Sequence, residues 1–463
     1  MKFNYIFENN DNNIEIEHFT GIEIYSTPEI KGIGGIYKDS YKDFIVKEIT
    51  KFGQILEIKE DRESSSYSDK RDKFTTFNLI KINKNTFGAL NRLSQDLKIP
   101  KANIFYSGLK DKCSISVQKI AIKGNHINKL KKLKIRNIFI RSISPSKKSV
   151  MLGSNRGNNF TITIRDIKDQ DNLESRIKGI LNTLTQKGIP NFFGLQRFGT
   201  YRPNSHLIGR YLLEGNYRRA FEEFVTTTYS TESIELCKIR AKIGESLDNP
   251  DLLEDYYRKF PRSLNYECTL IEHIITHHND YVGAFKRLNP NILNLIINAF
   301  QSYLFNKMIS LRVLKGISLF EPIEGDRICI LDDTKGNITN ISYIFGNSYD
   351  EYLEKAIRLD RAVILAPIVG FSTDLNDFPL MKNIFHEIVK EEGINLDIFK
   401  SEFFERFNMK GSYRAITTRP IGLKIIEFDD DDIFLEKKKV KIEFSLNKGS
   451  YATMLIRELM KSA

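Results

Sequence analysis

The sequence predicts an α/β (α+β) protein in which both ends of the chain build one β-rich unit and a helix-rich middle is inserted between them. Three observations carry this. At 463 residues the chain is longer than one core usually fills, which points to two or three compact units. Apolar residues make up 41% and charged residues 28%, an ordinary globular mix that supports a large core and excludes broad disorder. The hydrophobic period is close to two near the ends and helical in the middle.

Each element follows in order. Phe44 to Ile49 reads as a strand, Thr86 to Leu97 as a helix that must stop before Pro100, and Ile104 to Tyr106 as a second strand. The run SVQKIAI resumes strand, and FTITI at Phe160 to Ile164 alternates apolar and polar residues. Asp171 to Lys187 reads as a helix whose end is marked by Gly188 and Pro190. From about 204 to 313, SHLIGRYLLEG, YRRAFEEFV, DLLEDYYRKF and NILNLIINAFQSYLFNKMISLR repeat apolar residues at helical spacing. Strand signals return between about 322 and 371, and KNIFHEIVKEEG ends a helix. Leu423 to Phe428 and Val440 to Leu446 read as strands, with Asp429 to Asp432 as a solvated turn between them. A closing helix is expected from Gly449-Ser450, with Ser450 as its N-cap. The polar stretch ESSSYSDKRDK at 63–73 reads as a mobile loop, and no repeat of 20 to 50 residues is visible.

Seventy Lys and Arg against 59 Asp and Glu give +11, and the pI is near 9.1. That balance favours a polyanionic partner without identifying one. The longest apolar stretch, Ala362 to Phe371, contains Pro367 and Gly370 and is far short of a membrane span. The opening MKFNYIFENNDNN turns polar too early for a secretion signal, so the cytoplasm is the expected compartment. Cys113, Cys237, Cys268 and Cys329 form no C-x-x-C pair, which argues against a zinc site or disulfide framework. His273 and His277 have ligand spacing, but Glu272 precedes them and no third ligand is evident, so no metal is expected. Gly32-Ile33-Gly34-Gly35 lacks phosphate-loop spacing, and no cofactor is expected.

Two segments have the residue types that chemistry needs. In Tyr106-Ser107-Gly108-Leu109-Lys110-Asp111-Lys112, a glycine permits a tight turn and one carboxylate stands between two ammonium groups. Flanking cations favour the ionised carboxylate, which suits a nucleophile or a base; an exposed turn with a charge pair is the plain alternative. Asn191 to Gly199, NFFGLQRFG, places three aromatics beside an Asn, a Gln and Arg197. Such a set can stack and hydrogen-bond an unpaired base, although Phe192, Phe193 and Phe198 also suit a core.

These residues belong to a longer series: Lys38 with Asp43-Phe44-Ile45-Val46-Lys47-Glu48; Gly108-Leu109-Lys110-Asp111 with Gln118; Gly157-Asn158-Asn159-Phe160; NFFGLQRFG with Arg202-Pro203-Asn204-Ser205-His206 and Gly209; Ala299 to Asn306; and Phe444 with Gly449 to Thr453 and Arg457-Glu458. In this order they resemble the TruD family of tRNA pseudouridine synthases, most closely its archaeal branch, across residues 38 to 458. The resemblance implies a catalytic domain of residues 1–187 and 383–463 around a bent, mostly antiparallel sheet, with 188–382 as the inserted TRUD domain. It implies Asp111 as catalytic nucleophile, Lys38 beside it and Phe193 stacked on the target base. Asn191, Gly108, Lys110 and Arg197 are expected at the substrate, and Arg202 on phosphates. The implied substrate is tRNA, with uridine 13, the family's usual target, as the base isomerised to pseudouridine, and with no cofactor and no obligatory protein partner. The chain departs from the family pattern at Tyr41-Lys42, Ser114 and Ser116, which bears on packing around the site. Attack on C1′, attack on the base and abstraction of a sugar proton all stay open as the role of Asp111. Two rival readings are an inactive RNA binder or chaperone of the same fold and a metal-dependent hydrolase using His273 and His277.

Overall fold

A computed structural model describes residues 4–5, 12–62, 73–199, 202–332, 337–346, 348–400 and 409–461. The 63–73 segment therefore lies outside the described residues, apart from Lys73. Among the described residues, nine strands form the main sheet. Its path runs Ile421–Asp430, Lys438–Asn447, Gly157–Ile167, Phe44–Ile49, Ile115–Lys123, Phe74–Ile82 and Ile138–Ser146, with two short strands attached. All pairs are antiparallel except Phe44–Ile49 with Ile115–Lys123.

The two ends of the chain meet inside this sheet. Lys438–Asn447 pairs along Gly157–Ile167 from Lys438↔Ile167 to Asn447↔Gly157. The register stacks Phe444 on Phe160 at 5.4 Å between ring centroids, and Phe44 meets the same ring edge-on at 6.1 Å. A contact 284 residues apart in sequence thus rests on cross-strand aromatic pairing, an interaction of about 0.5–1.5 kcal/mol beyond area burial. Gly157 is required by this closeness, since a Cβ there would lie 2.0 Å from the Leu446 carbonyl oxygen.

Local signals explain the helices. The Asn85 side chain accepts the Gly88 amide at 2.6 Å and opens Thr86–Leu97, whose Ala89, Leu90, Leu93 and Leu97 are buried on one face. Lys98, at φ +53, ends it two residues before Pro100. Pro290–Leu314, 25 residues long, starts with Asn289 as cap and Pro290 in the first turn. It packs against Ser205–Leu213, where Gly209 allows the backbones to meet: a Cβ would stand 2.5 Å from the Ile296 carbonyl oxygen. A four-stranded sheet, Ile338–Ile344, Arg327–Leu331, Ala362–Ile368 and Ser412–Ala415, completes this helical part.

Two local expectations are corrected. The closing helix is Ala452–Met460 with Tyr451 at the cap position, and Ser450 does not cap it; its hydroxyl bonds that of Thr418 at 3.1 Å. The acidic run is not simply a solvated turn. Asp431 is buried, and Arg165 joins Asp431, Asp432 and Asp43 at 2.8–2.9 Å. Among the described residues no helix is long and apolar enough to cross a membrane.

Candidate active site

The one parallel strand pair described in the main sheet assembles the centre. Ile45 pairs with Ile115, so the segments preceding the two strands emerge at the same end of the sheet. Lys38 precedes one strand and Asp111 the other, and Lys38 Nζ donates to Asp111 Oδ2 at 2.8 Å. Gln196 Nε2 donates to the same oxygen at 3.3 Å, which brings the NFFGLQRFG segment to the carboxylate. The Asp111 side chain keeps 43% of its exposure, so the group is reachable from outside.

Lys38 is held in a conformation that its residue type disfavours. Its φ of +61° lies in the left-handed region, which costs roughly 1–2 kcal/mol for a residue other than glycine. The following turn offsets this: Ser40 N donates to Asp43 Oδ2 at 2.9 Å, and Arg165 Nε donates to Asp43 Oδ1 at 2.9 Å. The ammonium also lies 4.2 Å from the Phe44 ring centroid, a cation–π contact that keeps it over the strand start.

The Asp111 loop is fastened from below. Buried Lys81 donates to the carbonyls of Asp111 and Lys84, both at 2.6 Å, and Ser114 Oγ donates to the Asp111 carbonyl at 2.9 Å. Partial burial pushes the Asp111 carboxyl pKa up, but Lys38, Gln196 and Lys81 together outweigh it and hold the group below its ordinary value. Burial lowers the Lys81 ammonium to about 8, against the opposing pull of Asp111.

Phe193 forms an aromatic wall. Asn306 accepts from Phe193 N at 2.8 Å and donates to its carbonyl at 3.0 Å, which fixes the backbone from the long helix. Arg414 lies 4.3 Å and Arg197 5.7 Å from the ring centroid. Burial, with Arg197 adding to it, lowers the Arg414 pKa to about 10. Phe193, Asn191, Arg197 and Arg414 line a cavity of about 880 Å³ that reaches Arg361 and Arg419; Asp111 and Lys38 stand outside its walls, next to Gln196. An acceptor-only oxygen beside a recess rich in cations and amides suits an anionic, hydrogen-bonding substrate.

The family profile for tRNA pseudouridine synthase D (TruD) matches residues 19–459. This chain belongs to the TruD family. It is 32% identical over 452 residues to a probable tRNA pseudouridine synthase D of Methanosarcina mazei, covering 96% of this chain and 98% of that protein. The corresponding protein of Archaeoglobus fulgidus is 31% identical, covering 96% and 99%. A crystal structure of tRNA pseudouridine synthase D from Methanosarcina mazei matches with a TM-score of 0.77 at 31% identity, covering 96% and 98% of the two chains. The mixed α+β fold with a largely antiparallel central sheet is thus a TruD fold.

Within this TruD chain, several residues stand elsewhere than the sequence suggests. Lys110 turns away from the carboxylate: Nζ is buried and donates to Glu48 Oε2 at 3.1 Å, which also accepts Ser107 Oγ at 2.6 Å. Asp111 therefore sits between Lys38 and Lys81, not between Lys110 and Lys112. Gly108 has no positive φ, and a Cβ there would make only an ordinary contact with Lys110 Nζ at 3.9 Å; its carbonyl accepts Gln118 Nε2 at 3.1 Å. Both ends of the Asn191 amide are engaged, Nδ2 with the Ala415 carbonyl at 2.9 Å and Oδ1 with Arg414 at 2.7 Å. Arg197 Nε donates to Ser302 Oγ at 3.1 Å, at the cavity wall. Arg202 is committed to the carbonyls of Phe224, Glu223 and Thr227 and cannot also serve phosphate without breaking them. His273 pairs with Asp280 at 2.9 Å and stacks on His277. Lys81 and Arg414 went unrecognised in sequence reading. Nothing local marks either, because both act on loops supplied by distant strands.

Proposed function

We propose that this protein isomerises a uridine of tRNA, the one at position 13, to pseudouridine, with Asp111 as the catalytic carboxylate. The observation carrying the reading is the ionised Asp111 oxygen held by Lys38 and Gln196 while still accessible. In this reaction the C1′–N1 bond breaks, the uracil turns while bound, and a C1′–C5 bond forms; the C5 proton leaves and N1 regains one, so the net change is an isomerisation. The residues that hold the site need supply only charge, shape and proton handling. Lys38 keeps the Asp111 oxygen ionised as RNA displaces water from it. The everted uridine, extruded from its stack, packs against the aromatic wall of Phe193. Arg197 faces the RNA backbone or base in the cavity, while Asn191 and Lys110 act as positioning residues, one for Arg414 and one for the Asp111 loop.

The division of the chain also follows as a proposal. A boundary at residue 382 would cut the Pro379–Glu391 helix, and Ser412–Ala415 pairs with Ala362–Ile368. We place the inserted part at about 188–416, with the catalytic part resuming near residue 417.

The test incubates purified protein with unmodified tRNA tritiated at C5 of uridine, without added cofactor. Tritium release with modification mapped to position 13 is expected. Asp111→Asn should abolish release and retain tRNA binding; undiminished release by that variant would sink the assignment of the carboxylate.

A further inference from the structure

Residues 112–165 contain 13 Lys and Arg and not one Asp or Glu. The rest of the chain keeps 57 of the 70 basic residues against all 59 acidic ones, a balance of −2. The whole positive excess of this protein therefore lies in one continuous segment that starts immediately after Asp111. Nine of its cations are exposed.

The sheet returns part of this segment to the catalytic end. Ile115–Lys123 leads away from Asp111, the short helix Ile127–Lys132 crosses back, and Ile138–Ser146 starts again at the edge of the sheet. Ile82 pairs with Ile115 and Lys81 with Ile138, and Ile82 N donates to the Asn137 carbonyl at 3.0 Å. Arg136 and Asn137 thus stand about two strand spacings, roughly 10 Å, from the strand start that follows Asp111. Lys129, Lys132, Lys134 and Arg136 are exposed. Phe139, nearly half exposed, stands with Lys134 and Arg136 on an open concavity of about 530 Å³. The concavity's acidic member, Asp61, is already occupied by the Ser142 amide at 2.7 Å.

We propose that Lys129, Lys132, Lys134, Arg136 and Phe139 form an RNA-docking ridge that extends the catalytic centre along the sheet edge. It takes the phosphates flanking the reacting uridine, with Phe139 against an unpaired nucleotide. Four exposed cations, beside a lone Asp61 that already accepts the Ser142 amide among the described residues, give counterion release, and an exposed aromatic among them favours nucleic acid over a smooth anionic surface. The identity of the RNA rests on the function proposed above; the ridge itself does not need catalysis to be detected.

The experiment measures tRNA binding against salt for the native protein and for Lys129→Gln/Lys132→Gln/Lys134→Gln/Arg136→Gln. The expected result is a salt slope shallower by about 3 and an affinity at least roughly tenfold weaker at low salt, with kcat at saturating tRNA unchanged. Phe139→Ala should weaken binding without changing the slope. A matched control, Lys238→Gln/Lys242→Gln/Lys259→Gln/Lys390→Gln, removes the same charge elsewhere and should change binding much less. An unaltered slope in the ridge variant, or equal loss in the control, overturns the proposal. So does unchanged tRNA binding accompanied by lost binding to phosphatidylserine vesicles. Because binding is read separately from tritium release, a protein that never forms pseudouridine would still report on the ridge.

Discussion

The chemistry of Asp111 depends on which of its neighbours carries charge. Its carboxyl stays below the ordinary value near 3.9, so the ionised form persists into mildly acidic solution. Lys38→Met removes the strongest opposing influence and leaves the effect of burial less balanced, moving the pKa up. The acid limb of kcat/KM should therefore begin at higher pH in the variant, with a much larger loss at about pH 5 than at about pH 8. A profile parallel to that of the native protein would contradict this role. The stability contributed by the depressed Asp111 is present above the unfolded value and declines as pH falls through the folded one; the exposure of the side chain keeps it small. Lys81 behaves in the opposite sense. Its folded pKa of about 8 lies below the unfolded value, so folding becomes more favourable as pH rises from about 8 towards 10. Lys81→Met should lack that rise in denaturant titrations and should lower kcat by misplacing the Asp111 loop. Of these groups, Lys38 and Asp111 were legible as motif residues, whereas Lys81 was not. A lysine in an alternating strand reads as a solvent-facing position until the loop that covers it is known.

At the scale of elements, two helices tie distant parts of the chain to the site. The Pro290–Leu314 helix uses Asn306 to hold both backbone groups of Phe193 and also the Thr20 carbonyl at 3.1 Å. Asn306→Ala strands buried polar groups and should cost about 3 kcal/mol in urea unfolding, with a fall in kcat larger than any change in tRNA affinity. The Ala452–Met460 helix carries Arg457, which bonds Glu17 at 2.7 Å, the Ile24 carbonyl at 2.7 Å and Glu458 at 3.3 Å. Burial raises Glu458 to about 7. Since the unfolded glutamate ionises near 4.3, stability from this group falls as pH rises from about 4.5 to 7. Glu458→Gln should remove that part of the pH dependence, as read by unfolding at several pH values. Thr86–Leu97 and Phe44–Ile49 were readable to the residue because caps, proline and apolar spacing are local. The Ser450 cap and the Asp429–Asp432 turn were misread because Thr418 and Arg165, their actual partners, come from other strands.

For the molecule as a whole, closure of the main sheet depends on the return of the chain. Lys438–Asn447 lies between Gly157–Ile167 and the edge strand Ile421–Asp430, so its absence exposes buried Phe160, Ile162 and Ile164. A chain truncated after residue 420 should fail to fold cooperatively and should aggregate, as followed by calorimetry and light scattering. By itself, the sequence determined the alternation of strands and helices, the family and the identity of the charged and aromatic candidates, because periodicity, turn residues and motif order are written within short stretches of chain. Tertiary structure alone decided that Lys110 faces Glu48 while Lys81 and Lys38 meet Asp111, that Arg202 is consumed inside, and that Arg136 returns to the end of the sheet where Asp111 stands. Those outcomes depend on strand register and crossing direction, which set where each loop emerges; one residue of slip in Phe74–Ile82 would turn Lys81 itself to the opposite face.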